Sequence, residues 1–364
     1  LAISSPEKID DLEKIRDSHI SYLDPEHPDY NSNNKPKEFP VIINLGYNVH
    51  GNEPSSSEAA LLTAYTLVSS QSEEINKYLN ESIILLDPTI NPDGRDRHTH
   101  WANTYKGSPL VDDPQDAEHN EYWPGGRTNH YWFDLNRDWY LGIHPESRGK
   151  LNWYHKWQPN VTTDFHEMGS NSTYFFVPFK PNGSIEPVIP KENYDYFNFL
   201  FGSYYAKALD DIGTLYFTRE VFDRTYPGYG SSYPDYLGGI GILFEQASSR
   251  GHKQKTQFGE ITFPFTIRNQ YISGMTTVKA SVENKESLKE YQNKFFKSAI
   301  TESTSKKIKG YQFKIGNDRN KTKAFVDKLR LHNLKVLKSG NELFVPTVQK
   351  NYRLVRTFFE TQKK

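Results

Sequence analysis

The chain has 364 residues, with 45 acidic and 44 basic side chains, a net charge of −1 and no cysteine. Near-neutrality leaves no long-range field to draw in nucleic acid or an anionic membrane, and the absence of thiols removes cysteine catalysis, cysteine-type zinc sites and disulfides together. No apolar run approaches the roughly 18 residues needed to span a bilayer, whereas 24 Tyr, 22 Phe and 6 Trp supply ample surface for a core.

This length predicts one large domain plus a smaller one. The opening LAISSPEKID has neither the charged and apolar regions of a signal peptide nor an initiator Met, so it is expected to be a fragment of something longer. The expected location of that longer protein is secreted or periplasmic. SSPEKIDDLEKIRDSHISYL then predicts a Ser- and Pro-started amphipathic helix. VIINL (41–45) predicts a short buried strand, and SSSEAALLTAYTLVSS a helix whose Ser55-x-x-Glu58 fits a capping box. SIILLD (82–87) predicts a second buried strand, ending at a Pro-rich corner over 88–94. Residues 95–135 are polar and aromatic with little periodicity, which predicts a long functional loop.

A helix is expected over 146–157, a third strand at VTTDF (161–165), an aromatic-rich helix at YDYFNFLFGSYYAKALDDIG and a fourth strand at GIGILFEQ. The stretch 262–300 reads as mostly helical, and TESTSKKIKG as a polar linker. Beyond it, strand, helix, two strands and helix make a small second α/β unit without a His–carboxylate cluster. Short apolar strands alternating with helices indicate an α/β sheet covered on both faces, where ligands sit beyond the carboxyl ends of the strands. The polar residues obey that rule: His50 and Glu53 follow VIINL, Asn91 to Gly94 follow SIILLD, His166 follows VTTDF, and Glu245 closes GILFE.

His50-Gly51-Asn52-Glu53 alone is a polar corner, and His166 alone a His after a strand. Together at one sheet edge they are two imidazoles and a carboxylate with a fourth position left for water, the ligand set of a catalytic zinc site. Such a metal points to hydrolysis, which also needs a general base that is not itself a ligand. Glu245 fits, since an acidic residue ending an apolar strand is costly without a task. In PGGRTNHYWFDLNRDW, Asp134 suits a hydrogen bond that fixes a ligand imidazole's tautomer. Arg137 offers a planar fork for a carboxylate, Asn136 a further donor, and Arg127 a charge for a developing oxyanion.

These residues, HGNE (50–53), NPDG (91–94), GR-x-N (126–129), DLNR (134–137), D-x-H (164–166) and FE (244–245), resemble in order the zinc metallocarboxypeptidases of the carboxypeptidase A-like family. The resemblance covers roughly residues 1–275. It implies an α/β fold with a mixed, mainly parallel sheet of about eight strands and helices on both faces, within a catalytic domain over 1–300. Residues 301–364 would form the small accessory unit. It also implies one zinc per chain on His50, Glu53 and His166, with Glu245 as base and acid and Arg127 polarising the scissile carbonyl. Asn136 and Arg137 would hold the terminal carboxylate of a peptide substrate. TYPGYGSS (225–232) is similar to the family's mobile-tyrosine loop, which implies Tyr226 as the residue closing over substrate, with Tyr229 and Tyr233 nearby as competitors for that role. The side-chain pocket would be lined near 231–235.

Residues 95–125, with His98-x-His100, have no counterpart in the resemblance; those histidines are expected to be solvated or substrate-facing. Two other readings stay open: a zinc amidase acting on acylated amino acids or peptidoglycan peptides, and a binding module on a dead peptidase fold. Nothing in the sequence implies a nucleic-acid partner.

Overall fold

A computed structural model describes residues 1–30 and 39–361. In chain order the elements begin with β1 (Ala2–Ile3), α1 (Pro6–Asp10), α2 (Leu12–Leu23), β2 (Val41–Gly46), α3 (Ser55–Ser69), α4 (Glu73–Glu81), β3 (Ser82–Asp87) and α5 (Pro92–Tyr105). They continue with α6 (Pro145–Trp157), β4 (Val161–Met168), β5 (Tyr174–Phe176), α7 (Asn198–Asp211), β6 (Ile240–Ala247), β7 (Lys253–Thr256), β8 (Gly259–Thr262) and α8 (Phe263–Glu283). The last are α9 (Lys285–Ser305), β9 (Gly310–Lys314), α10 (Arg319–Leu331), β10 (Leu337–Ser339), β11 (Glu342–Pro346) and α11 (Tyr352–Phe359).

The main sheet has the order β1-β3-β2-β4-β6-β5. Its four inner strands pair in parallel, while β1 on β3 and β5 on β6 are antiparallel. Among the described residues this is a mixed sheet of six strands, not about eight. The chain between β3 and β4 has no extended pairing to offer: it starts as a helix and runs on through turns interrupted by Pro109, Pro114 and Pro124, which cannot donate to a ladder. The edge strands are short, two and three residues, and leave little to extend.

Alternation along the inner strands feeds two apolar layers. Val41, Ile43, Leu45, Ile84 and Leu86 join a core completed by α3, α4, α7, α8 and α9. Ile42, Ile83 and Leu85 face the other way, onto Trp157 of α6 and the partly buried Leu12 and Ile15 of α2. Burial on both faces is why VIINL and SIILLD read as unbroken apolar runs.

Several local expectations change. The N-terminal helix breaks at Asp11, between α1 and α2. The capping box does not form: Pro54 is the N-cap, and the Ser55 hydroxyl donates to Glu167 instead. Residues 92–105 are helical, begun by Asn91 Oδ1 accepting from the Gly94 N–H at 3.0 Å. The helix lacks an apolar stripe because its buried residues are Gly94, His98 and Ala102, one position per turn. Helix α9 runs on to Ser305, into the expected linker, and strand β5 and the β7–β8 hairpin were not foreseen.

The C-terminal unit is an antiparallel sheet, β10-β11-β9, with α10 and α11. It shares one apolar core with the preceding chain: Leu329, Leu334, Val345, Leu354 and Val355 pack with Trp139, Leu151, Tyr154, Tyr233, Tyr236 and Leu237.

Candidate metal centre and substrate cavity

Strand β2 ends in a corner that Asn48 holds shut. Its backbone takes a left-handed φ of 56°, and its side-chain amide donates to the carbonyls of His50 (2.8 Å) and Glu53 (3.0 Å). Gly51 lies flat against the start of α5, where a Cβ would come within 2.0 Å of the Gly94 carbonyl carbon and the Arg95 nitrogen. Only glycine fits that approach, so HGNE and NPDG are two halves of one contact.

The corner aims His50 and Glu53 at His166 near the end of β4. Their donor atoms lie within 4.8 Å of one another, and all three residues are buried. His50 Nδ1 is 2.9 Å from Glu53 Oε1, His166 Nδ1 is 3.0 Å from Glu53 Oε2, and the two Nδ1 atoms are 3.1 Å apart. On the far side of each ring a carboxylate sets the tautomer, because it can only accept. His50 Nε2–H donates to Asp134 Oδ1 at 2.9 Å, and His166 Nε2–H to Asp164 Oδ1 at 2.8 Å. In the neutral rings both Nδ1 lone pairs therefore point at each other and at a carboxylate. Three electron-rich donors converging on one point repel unless a cation lies between them, so the residues fit zinc.

Burial by itself depresses the His50 imidazole, but Glu53 and Asp134 outweigh it and raise it. His166, opposed by burial but facing Asp164 and Glu53, is raised well above its ordinary value. Burial opposes ionisation of Glu53 too, yet the two imidazoles hold it well below the usual carboxylate range.

In the parallel register β4 pairs His166 with Glu245 and Asp164 with Leu243. All four side chains line one cavity of about 320 Å³, together with His50, Glu53, Arg127, Asn136, Arg137 and Tyr229. Among the described residues no hydrogen bond reaches the Glu245 carboxylate. Burial pushes its pKa up to about 8, with His166 pulling down and Glu53 pushing up; a cation at the three donors would oppose that shift.

Arg127 lies at the mouth. Its Nη2 donates to Asp134 Oδ2 at 2.8 Å while Nη1 stands 3.3 Å from His50 Nδ1. The Arg137 guanidinium sits 4.6 Å over the Tyr229 ring and is 47% exposed, with Nη1 donating to the Asn136 carbonyl at 3.0 Å and standing 3.8 Å from Asp134 Oδ2. Asn136 is engaged already: Oδ1 accepts from the Gly230 N–H at 2.7 Å, and Nδ2 lies 3.1 Å from Asp164 Oδ2 and 2.8 Å from His166 Nε2. Tyr226 donates its hydroxyl to the Arg137 carbonyl at 2.9 Å, and Tyr229, not Tyr226, lines the cavity. His98, on α5, is buried against Glu121 at 3.2 Å rather than solvated.

Two carboxylates went unassigned in the sequence. Asp164 stands two residues before His166 on the same strand face, so period-two alternation was its signal. Glu167 is buried and accepts from Ser55 N–H at 2.7 Å and from the Ser55 and Ser248 hydroxyls, pinning α3 and the end of β6 to β4. Nothing in the sequence marks it.

Residues 26–180 match the family model described as zinc carboxypeptidase. Over those residues the chain is similar to the zinc carboxypeptidase family. Zinc is the cofactor of that family, and His50, Glu53 and His166 are the cluster that can hold it. Those three residues and Arg127, Asp134, Asn136 and Arg137 fall inside the matched segment, while Tyr226 and Glu245 lie beyond it. No curated protein matches the chain. Among solved structures it is similar to a metallo-carboxypeptidase from Burkholderia cenocepacia, at 13% identity and a TM-score of 0.46, covering 66% of this chain and 57% of that one. A Pseudomonas aeruginosa metallo-carboxypeptidase in complex with (2-guanidinoethylmercapto)succinic acid gives 13%, a TM-score of 0.45, and 72% and 60% coverage. Carboxypeptidase A from Helicoverpa armigera gives 16%, a TM-score of 0.44, and 77% and 74%. The chain spans less than two thirds of the length of the bacterial proteins named. Among the described residues no helix is long and apolar enough to cross a membrane.

Proposed function

We propose that the chain is a metallocarboxypeptidase that hydrolyses the last peptide bond of a peptide with a free C-terminus. The observation that carries this reading is the pair of Nδ1 atoms 3.1 Å apart over Glu53, lining the same cavity as Arg137 and as Glu245, to whose carboxylate no hydrogen bond reaches among the described residues. Zinc held by His50, Glu53 and His166 supplies Lewis acidity, acidifying a water and polarising a carbonyl.

The chain's own side chains do the rest. Arg137 pairs with the terminal carboxylate through its planar fork, with the Tyr229 ring behind it restricting the guanidinium. That contact places the scissile carbonyl toward Arg127, whose charge stabilises the oxyanion as it develops. Glu245 takes a proton from the attacking water as its oxygen bonds to the carbonyl carbon. It then passes that proton to the amide nitrogen as the C–N bond breaks, giving a shortened peptide acid and a free amino acid. Asp134 and Asp164 keep Nδ1 of each imidazole free by accepting from Nε2–H.

The test is zinc content per chain together with hydrolysis of a blocked dipeptide, with and without a chelator. About one zinc and chelator-sensitive release of the C-terminal amino acid support the reading. Zinc without release rejects it in favour of an amidase acting on acylated or peptidoglycan peptides.

A further inference from the structure

Among the described residues none after Glu245 lines the cavity, yet the C-terminal unit is wired to the loops that shape it. We propose that His332, at the end of α10, is a positioning residue for substrate recognition. It fixes the two loops that carry Arg137 and Tyr229 in the register a C-terminal carboxylate requires. The proposal rests on the carboxypeptidase reading above.

The two loops meet at Arg137. Trp139 N–H donates to the Gly228 carbonyl at 3.3 Å, and the Tyr226 hydroxyl donates to the Arg137 carbonyl at 2.9 Å. The second loop continues into a short 3-10 turn, Tyr233–Leu237, that begins when the Tyr233 N–H donates to the Tyr229 carbonyl at 3.0 Å. That bond ties the turn to the residue whose ring lies under the Arg137 guanidinium.

His332 bonds both loops, one with each ring nitrogen. Nε2 lies 2.9 Å from the Tyr140 carbonyl, three residues past Arg137. Nδ1 lies 2.6 Å from the Tyr233 hydroxyl, which also lies 2.8 Å from His155 Nε2. A carbonyl only accepts, so Nε2 of His332 carries the hydrogen and Nδ1 is bare. Tyr233 O–H must then donate to His332 and accept from His155 Nε2–H, which leaves His155 Nδ1 bare. That nitrogen is indeed buried without a partner. The chain runs one way, from His155 through Tyr233 and His332 to the Tyr140 carbonyl, and only neutral imidazoles satisfy it. His332 and Tyr233 are fully buried and His155 is 6% exposed, so a broken link strands polar groups away from water.

The neighbours of His332 keep it from drifting. Tyr140 donates its hydroxyl to the Thr357 carbonyl at 3.2 Å and packs its ring 4.4 Å from Phe358. Lys328 donates to the Leu141 carbonyl. Arg353 holds the unit to α9 through the Phe295 carbonyl at 2.7 Å. An accessory unit that only packed here would need an apolar side chain at 332. A histidine with both nitrogens committed adds direction, because it accepts only from one loop and donates only to the other.

The experiment uses the full chain with His332→Phe, Tyr233→Phe and the double variant. Binding of a benzoylated amino acid, which presents a free terminal carboxylate, is measured by calorimetry alongside zinc content and kinetics on a blocked dipeptide. Each single change is expected to weaken that binding and raise KM by about tenfold, with kcat within about twofold and zinc content unchanged. The double variant should be no worse than either single one, because both break the same chain. Wild-type affinity and KM in the single variants, or strictly additive losses, overturn the proposal. If His332→Phe does not fold, Tyr233→Phe decides the matter, since it keeps the ring and removes only the hydroxyl. A wild-type chain that binds the benzoylated amino acid but cleaves no dipeptide, with binding lost in the variants, sinks the carboxypeptidase reading and supports the positioning role.

Discussion

Replacing Asp164 with Asn removes one charge and keeps the shape, so its effect isolates what the carboxylate does for His166. Asp164 is 4% exposed. Its Oδ1 accepts from His166 Nε2–H at 2.8 Å, and Oδ2 accepts from Ser231 N–H at 3.0 Å and from the Asn136 amide at 3.1 Å. An asparagine can offer its oxygen to His166, but its NH2 then faces two donors. A weaker hydrogen bond to Nε2–H makes Nδ1 a poorer ligand, and losing such a partner costs about 10–100-fold in metal affinity, or about 1.4–2.7 kcal/mol. The pH dependence sharpens the test. In the wild type His166 is raised well above its ordinary pKa, partly by Asp164, so a proton competes with zinc at neutral pH. The variant loses part of that shift and suffers less competition. The ratio of variant to wild-type dissociation constants should therefore grow as pH rises, reaching its full value only where both apo imidazoles are neutral. Zinc competition against a chromophoric chelator from pH 6 to 9, with circular dichroism to confirm folding, measures it. A ratio near one at high pH, or one that shrinks as pH rises, would refute the role given to Asp164.

Glu245→Gln should lower kcat by about 10²–10⁴-fold, the usual worth of a general base, while zinc still binds; near-normal turnover removes Glu245 from the chemistry. Arg137→Ala should raise KM for free C-terminal substrates far more than for C-terminally amidated ones, and equal losses on both would argue against an exopeptidase. His19 is buried with Nε2 3.0 Å from the Gln158 carbonyl, and burial pushes its pKa down to about 4. The unfolded chain therefore binds the extra proton between pH 6.5 and 4, so the stability this neutral ring contributes is present above that window and lost as pH falls through it. The loss is about 2–3 kcal/mol by pH 4.5. Urea unfolding at pH 7 and 4.5 should show a smaller difference for His19→Gln than for the wild type, and an unchanged difference would contradict this account.

The parts whose chemistry is local can be read from the residues alone. VIINL and SIILLD read as strands buried on both faces, and polar residues at the ends of VTTDF and GILFE and beyond VIINL fall at one sheet edge, which makes His50, Glu53, His166 and Glu245 legible as a group. Gly51 was legible as a turn, but its reason is tertiary: it is the only residue that fits against Gly94, 43 positions away. Helix α5 was invisible because it buries a glycine, a histidine and an alanine, leaving no apolar period to read. Glu167 and the six-stranded outline depended on which segments meet, and hydrogen-bond partners distant in sequence leave no periodic trace. The C-terminal unit marks the limit most clearly. Its strands and helices were predictable from alternation and period. That His332 would reach across to Tyr233 and the Tyr140 carbonyl was not, because a buried histidine's role is set by what surrounds each of its nitrogens, and only the packed chain brings those partners together.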